Sequence, residues 1–283
     1  MGSLRERLES RDGPLVFGVL NCTPDSFSDG GRFVDPESAL DHALRLIDEG
    51  ADVIDVGAES TRPGAPRVTA AEQRARLGGL VGALVRRGGL VSIDTTDPDV
   101  ATFALDQGAS LVNSVELGPA RSLARVVRKA GAMLALMHSR GGMTDMPGFS
   151  ATDEAAYGDV VLDVVREWRA ARDEALDEGL AEGDVWLDPG LGFHKSARHS
   201  LALCARLGEL VQEGAPVLVG PSRKSFLAVV TAAPGEAPRP PAERLGATIA
   251  AAVACAQRGA AALRVHDVLP VCQALRFTRV LDA

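Results

Sequence analysis

Apolar residues along this chain fall into short runs separated by longer stretches with helical spacing. Eight runs are rich in β-branched or other apolar residues: Leu15–Asn21, Val53–Gly57, Leu90–Asp94, 110–114, Met133–Met137, Val185–Asp188, 217–220 and Ala262–Val265. Most read as continuous apolar runs rather than in–out alternation, which predicts strands buried on both faces, as in a parallel sheet. The intervening stretches carry helix signals. Asp35-Pro36 supplies a capping side chain followed by proline at the first helical position. Ala39, Leu40, Ala43, Leu44 and Ile47 then form one apolar face, and Gly50 can close the helix. Thr69 and Glu72 have capping-box spacing, Asp97-Pro98 repeats the Asp-Pro start, and Asp153 is expected to open a long helix ending near Gly179.

Strand and helix in alternation imply right-handed βαβ units. Eight units in 283 residues average about 35 each, the size expected of an α/β fold of the (β/α)8 TIM-barrel type. An open doubly wound sheet shares that periodicity. No repeat or interdomain linker interrupts the pattern, and the proline-rich stretch 232–241 reads as a surface loop before a helix. The expectation is a single domain over 1–283 with its core from about residue 14.

Composition narrows the function classes. No apolar run is long enough to span a bilayer, and residues 1–14 lack the apolar centre of a signal peptide, so no membrane role and a cytoplasmic setting are expected. The net charge is −8, with 30 Lys+Arg against 38 Asp+Glu and no long basic run, which argues against nucleic acid as a partner. Cys22, Cys204, Cys255 and Cys272 form no C-x-x-C pair and read as small buried hydrophobes.

In a barrel the chemistry sits where strands end. Here the ends carry Asn21; Asp55 and Gly57; Asp94 and Thr95; Asn113 and Ser114; His138; Asp188; Gly220 followed by Ser222, Arg223, Lys224 and Ser225; and Arg264, His266 and Asp267. Any single Asp after a strand is often only a helix cap, as Asp97 is. Polar residues at all eight ends point instead to a polar ligand, because buried carboxylates without partners are costly. His42 and His199 read as helix-surface residues without a role. Asp94, Asn113 and Asp188 suit a flat heterocycle with several N–H groups and a carbonyl, and Lys224 adds a cationic donor. Arg264 and His266, two residues apart on one strand, face the same side. With Asn21 they suit an anion such as pyrophosphate, alone or with Mg²⁺.

The motifs as a set resemble one family. Leu-Asn-Cys-Thr-Pro-Asp-Ser-Phe-Ser-Asp-Gly-Gly (20–31) is similar to the first signature of dihydropteroate synthases, and Glu-Ser-Thr-Arg-Pro-Gly (59–64) to their second loop. Leu-Asp-Pro-Gly-Leu-Gly-Phe (187–193), Ser-Arg-Lys-Ser (222–225) and Arg-Val-His-Asp (264–267) follow in the family's order. The resemblance covers nearly the whole chain. It implies a C–N bond-forming transferase of folate biosynthesis that joins 6-hydroxymethyl-7,8-dihydropterin diphosphate to p-aminobenzoate, and it implies a homodimer, for which the Ala-rich helix near 246–256 is a candidate surface. Residue by residue, it implies Asp94, Asn113, Asp188, Lys224 and Arg264 around the pterin and Asn21, Arg264 and His266 around the diphosphate. Asn21 would also be the Mg²⁺ ligand. Phe27, Thr61, Arg62, Pro63, Phe193 and Ser222 would surround p-aminobenzoate, the subsite sulfonamides occupy. Asp94, Lys224, Arg264 and His266 would carry the chemistry, with Asp94 stabilising a pterin cation as diphosphate departs.

Four positions depart from the family pattern: Ser114 where Asp is usual, Pro221 before Ser222, His194 where a small residue is commoner, and Ala58 where a second glycine is common. Two other readings share parts of the pattern. A methyltetrahydrofolate-dependent methyltransferase would use a similar Asp/Asn/Asp set but has no diphosphate to bind. A non-catalytic paralogue is favoured only by Ser114.

Overall fold

The structure, a computed structural model, describes residues 2–22, 35–59, 67–142, 145–146, 148 and 150–282. Eight strands, all paired in parallel, lie in the order β6-β5-β4-β3-β2-β1-β8-β7. They are β1 Leu15–Asn21, β2 Val53–Gly57, β3 Leu90–Asp94, β4 Leu111–Ser114, β5 Met133–Met137, β6 Val185–Asp188, β7 Leu218–Val219 and β8 Ala262–Val265. The sheet is closed by a parallel bridge between Leu187 and Val217, where the Leu187 N–H donates to the Pro216 carbonyl at 2.9 Å. Closure decides for the barrel over the open sheet. No described helix is long and apolar enough to cross a membrane.

The expectation of strands buried on both faces holds. Ile54, Val56, Val91, Ile93, Leu134, Leu136, Leu263 and Val265 pack outward against the helices. Their alternates form a second cluster inside the barrel, with Leu15, Phe17, Val53, Leu111, Met133, Ala135, Trp186, Leu218 and Ala262. Phe17 and Trp186 meet there with ring centroids 6.0 Å apart, and Leu4 of the first helix packs beneath. Two residues further along the same inward face, the strands become polar at Asp55, Asn113, Asp188 and Arg264. The pleat therefore stacks an apolar layer under a polar one, and the short strands disguised that alternation.

Local signals mostly act as expected. Asp35 accepts from the N–H groups of Glu37 and Ser38, and Asp97 from those of Asp99 and Val100. Thr69 accepts from the Glu72 N–H, but the Glu72 carboxylate turns to Arg76 at 2.6 Å, so only half of the expected capping box forms. Asp153 caps only the 3-10 turn Glu154–Ala156. The long helix is Val160–Asp177, capped by Asp159. Strand β4 begins at Leu111 rather than 110, and β7 is reduced to two residues. His199 is buried instead of lying on a helix surface: its ring completes a capping box with Ser196 and contacts the Glu154 carbonyl. The stretch 232–240 is exposed loop, and all four cysteines are buried and free.

Candidate active site

The polar layer opens into a pocket at the C-terminal ends of the strands. Asp94 from β3, Asn113 from β4, Asp188 from β6, Ser222 and Lys224 after β7, Arg264 from β8 and His266 just after it all line it. All but Ser222, which the resemblance alone implied, are legible from residue type at a strand end. Phe193, expected at p-aminobenzoate, lines the same pocket. Asn21 is exposed at the end of β1, outside the pocket lining. A Cβ placed on Gly57 would lie 3.7 Å from both Asn21 Oδ1 and Asp94 Oδ2, which puts Asn21 beside the mouth. Phe27, Thr61, Arg62 and Pro63 lie outside the described residues.

Charge is arranged around Arg264. Its Nε donates to Asp55 Oδ2 at 2.5 Å and its Nη2 to Asp94 Oδ2 at 2.8 Å. Asn113 Nδ2 reaches the same Asp55 oxygen at 3.3 Å. Two buried carboxylates thus share one guanidinium, whose other N–H groups remain for a ligand. Burial pushes Asp94 up to about 7, against the pull of Arg264. Burial also raises Asp188, although its Oδ1 accepts from the Gly190 N–H at 2.7 Å. The Lys224 ammonium sits 3.7 Å from the centre of the Phe193 ring, and burial lowers its pKa while Asp188 opposes the shift. Asp55 Oδ1 and Asn113 Oδ1 are buried with no hydrogen-bond partner among the described residues. Such acceptors call for a donor, and a ring bearing N–H groups supplies donors.

His266 is held neutral. Burial, then the charge of Arg264, push it down to about 3. Its Nδ1 lies 3.0 Å from the Ser222 hydroxyl, which also accepts from the His266 N–H at 3.2 Å. The same hydroxyl thus holds both the backbone and the ring of His266 in place. Ser222, expected at p-aminobenzoate, lines the pocket and also contacts the imidazole.

Asp55, Val115, Met137 and Leu191 are the site residues that strand-end reasoning passed over. Asp55 was noted at its strand end but given no role. Met137 shares the inward parity of Met133 and Ala135, a signal that was available. Together with Val115, Met146 and Phe193 it makes an apolar wall suited to a flat ring. His138 closes β5 as expected but turns away from the pocket. It is fully buried, with Nε2 2.8 Å from Glu167 Oε2 in the helix Val160–Asp177.

The four departures from the family pattern lie outside the pocket lining. Ser114 caps the turn after β4, donating to the Glu116 carbonyl at 2.7 Å. Ala58 contributes its carbonyl to Arg76, Pro221 its carbonyl to the Lys224 N–H, and His194 its carbonyl to the Tyr157 hydroxyl. His194 holds φ 47° without being glycine, with its ring against the Ser139 hydroxyl. Ser114 therefore gives no support to a non-catalytic reading.

Among the described residues, no group of three or more His, Cys, Asp or Glu side chains could hold a metal. Asn21 offers one exposed oxygen. That fits Mg²⁺ only in the mode where substrate phosphates and water supply most ligands.

Comparison with known proteins shows the family. The sequence model of the family described as "Pterin binding enzyme" matches residues 17–266. The dihydropteroate synthase of Mycobacterium leprae (strain TN) is 44% identical over 262 residues, 92% of this chain and 91% of that protein. A solved structure of Xanthomonas albilineans dihydropteroate synthase with 4-aminobenzoic acid superposes with a TM-score of 0.85 at 37% identity, covering 96% of this chain and 94% of that one. A second Xanthomonas albilineans structure, in complex with 7,8-dihydropteroate, gives a TM-score of 0.81 at 33% identity and covers 98% of both chains.

Proposed function

The chain belongs to the dihydropteroate synthase family, and from that premise we propose how its residues divide the work. The reaction joins 6-hydroxymethyl-7,8-dihydropterin diphosphate to p-aminobenzoate, giving 7,8-dihydropteroate and pyrophosphate. One observation carries the assignment of roles: Arg264, which spans Asp55 and Asp94, lines one pocket with Asp94, Asn113, Asp188 and Lys224.

The pterin ring lies against Met137 and Val115. Its N–H edge meets Asp188 and Asn113, and Lys224 donates to a ring acceptor. As the C–O bond to diphosphate breaks, positive charge grows on the pterin methylene and ring. Asp94 faces that charge. A cation beside it favours its ionised form, so its negative charge strengthens as the transition state forms. The departing diphosphate meets the remaining N–H groups of Arg264 and the imidazole of His266, which Ser222 orients. The proposed metal is Mg²⁺ at Asn21; when bound it neutralises charge on the leaving group. The aromatic amine then attacks the methylene and loses one proton; it is already nucleophilic and needs no strong general base. Phe193 forms a wall for its ring, with Phe27, Thr61, Arg62 and Pro63 completing that subsite.

The test is pyrophosphate release by the purified protein with Mg²⁺, the pterin diphosphate and p-aminobenzoate. Release that requires p-aminobenzoate, with dihydropteroate formed, supports this division. Tight binding of the pterin diphosphate without release overturns it. We also propose a homodimer through the helix Leu245–Gln257, on whose margin Leu245 is exposed alongside Val229 and Val230 of the preceding helix Ser225–Thr231. A monomeric mass in solution would rule that out.

A further inference from the structure

Lys195 is wholly buried yet lines no part of the pocket. Its ammonium meets His138 Nδ1 at 3.0 Å, the His138 carbonyl at 3.0 Å and the Phe193 carbonyl at 3.1 Å. Three N–H donors thus face three acceptors. The two carbonyls belong to different segments, one at the end of β5 and one in the loop after β6. Both segments build the mouth: Met137 precedes His138, and the Phe193 ring lies under the Lys224 ammonium. The segments also touch at Gly190, where a Cβ would come within 2.1 Å of the same His138 carbonyl. Behind the lysine, His138 passes its Nε2–H to Glu167, which Arg140 holds in turn. That carboxylate is a second counter-charge after Asp188, reached through the imidazole.

We propose that Lys195 is a positioning residue for the p-aminobenzoate subsite: it ties the end of β5 to the loop after β6 and so fixes the Phe193 ring against Lys224. A buried cation generally stabilises a fold less than an apolar side chain of similar size would. What it supplies here is direction. An apolar side chain fills the same space but holds neither carbonyl, and a hydroxyl or amide cannot donate to three acceptors at once. Burial lowers the pKa of Lys195 to about 7, with Asp188 opposing. The three acceptors favour the ammonium form. The Phe193 carbonyl and ring share one residue, so freeing the carbonyl frees the ring.

This inference rests on the reading of Phe193 as a wall of the amine subsite, so the experiment separates the two. Steady-state kinetics are measured for Lys195→Met, Glu167→Gln and Phe193→Ala, varying each substrate in turn. Lys195→Met is expected to raise the KM for p-aminobenzoate about tenfold while changing kcat and the KM for the pterin diphosphate much less. Glu167→Gln keeps an acceptor for His138 and removes one of the two counter-charges, and is expected to shift the same KM in the same direction by a smaller factor. A lower melting temperature for Lys195→Met with both KM values unchanged overturns the proposal. If Lys195→Met does not fold, Glu167→Gln decides: a raised KM for p-aminobenzoate supports the clamp and an unchanged one overturns it. A raised KM in Phe193→Ala with none in Lys195→Met removes the clamp alone. The reverse pattern removes Phe193 from the amine subsite and leaves Lys195 positioning the site through the β5 end.

Discussion

Asp94 is where stability and catalysis pull in opposite directions. Its carboxyl is raised from the usual range to about 7 by burial, despite the Arg264 contact. The folded protein therefore binds a proton that the unfolded chain gives up near pH 4. That contribution to stability is complete below about pH 4 and is lost as pH rises to about 7. Asp94→Asn carries no such proton. Its melting temperature is expected to gain on the natural protein as pH rises from 4 to 7, a trend that differential scanning calorimetry would read directly. A constant difference across that range would mean that Asp94 is not held protonated. In the same variant, turnover at neutral pH is expected to fall by a factor of about 100 or more, because the charge facing the pterin cation is gone. Near-normal kcat would remove Asp94 from the mechanism.

Element ends were harder to read than element interiors. Asp153 and Asp159 are both Asp residues just ahead of an apolar helical pattern, six positions apart. The first caps a single 3-10 turn and the second the helix Val160–Asp177. Only chain geometry between them distinguishes the two, since Asp159 also pairs with Arg206 from a distant segment. Asp159→Ala is expected to destabilise the protein by about 1 kcal/mol, and Asp153→Ala by clearly less. Urea unfolding of the two variants checks the order, and equal losses would mean that Asp153 also supports the long helix. At the strand ends, parity was the underused signal. His138 follows the inward-facing Met137, so it turns out of the barrel toward Glu167 rather than into the mouth. Ser114 follows Asn113 in the same way, which makes its departure from the family pattern harmless to the pocket.

Across the molecule, the barrel is least secured where it closes. β1 shares five register pairs with β2, whereas β6 and β7 meet through the Leu187–Val217 bridge. Local opening follows such weak seams. Amide hydrogens of residues 217–219 are expected to exchange faster than those of residues 17–21, and equal protection would mean that the barrel opens only as a whole. The barrel brings Arg264 to Asp55, 209 residues earlier, and the pairing of β5 with β6 brings Lys195 to His138, 57 residues earlier. Strand number, the caps at Asp35 and Asp97, and the polar residues at strand ends were all legible in the sequence, because pleat, capping and burial follow from neighbours a few positions apart. Asp94, Asn113, Asp188, Lys224, Arg264 and His266 could therefore be named before any coordinates. Asp55 as the partner of Arg264, Ser222 as the partner of His266, and Lys195 as a buried clamp could not. Each depends on which atoms from remote strands finally meet, and how strongly burial shifts their charge. Only the closed barrel decides that.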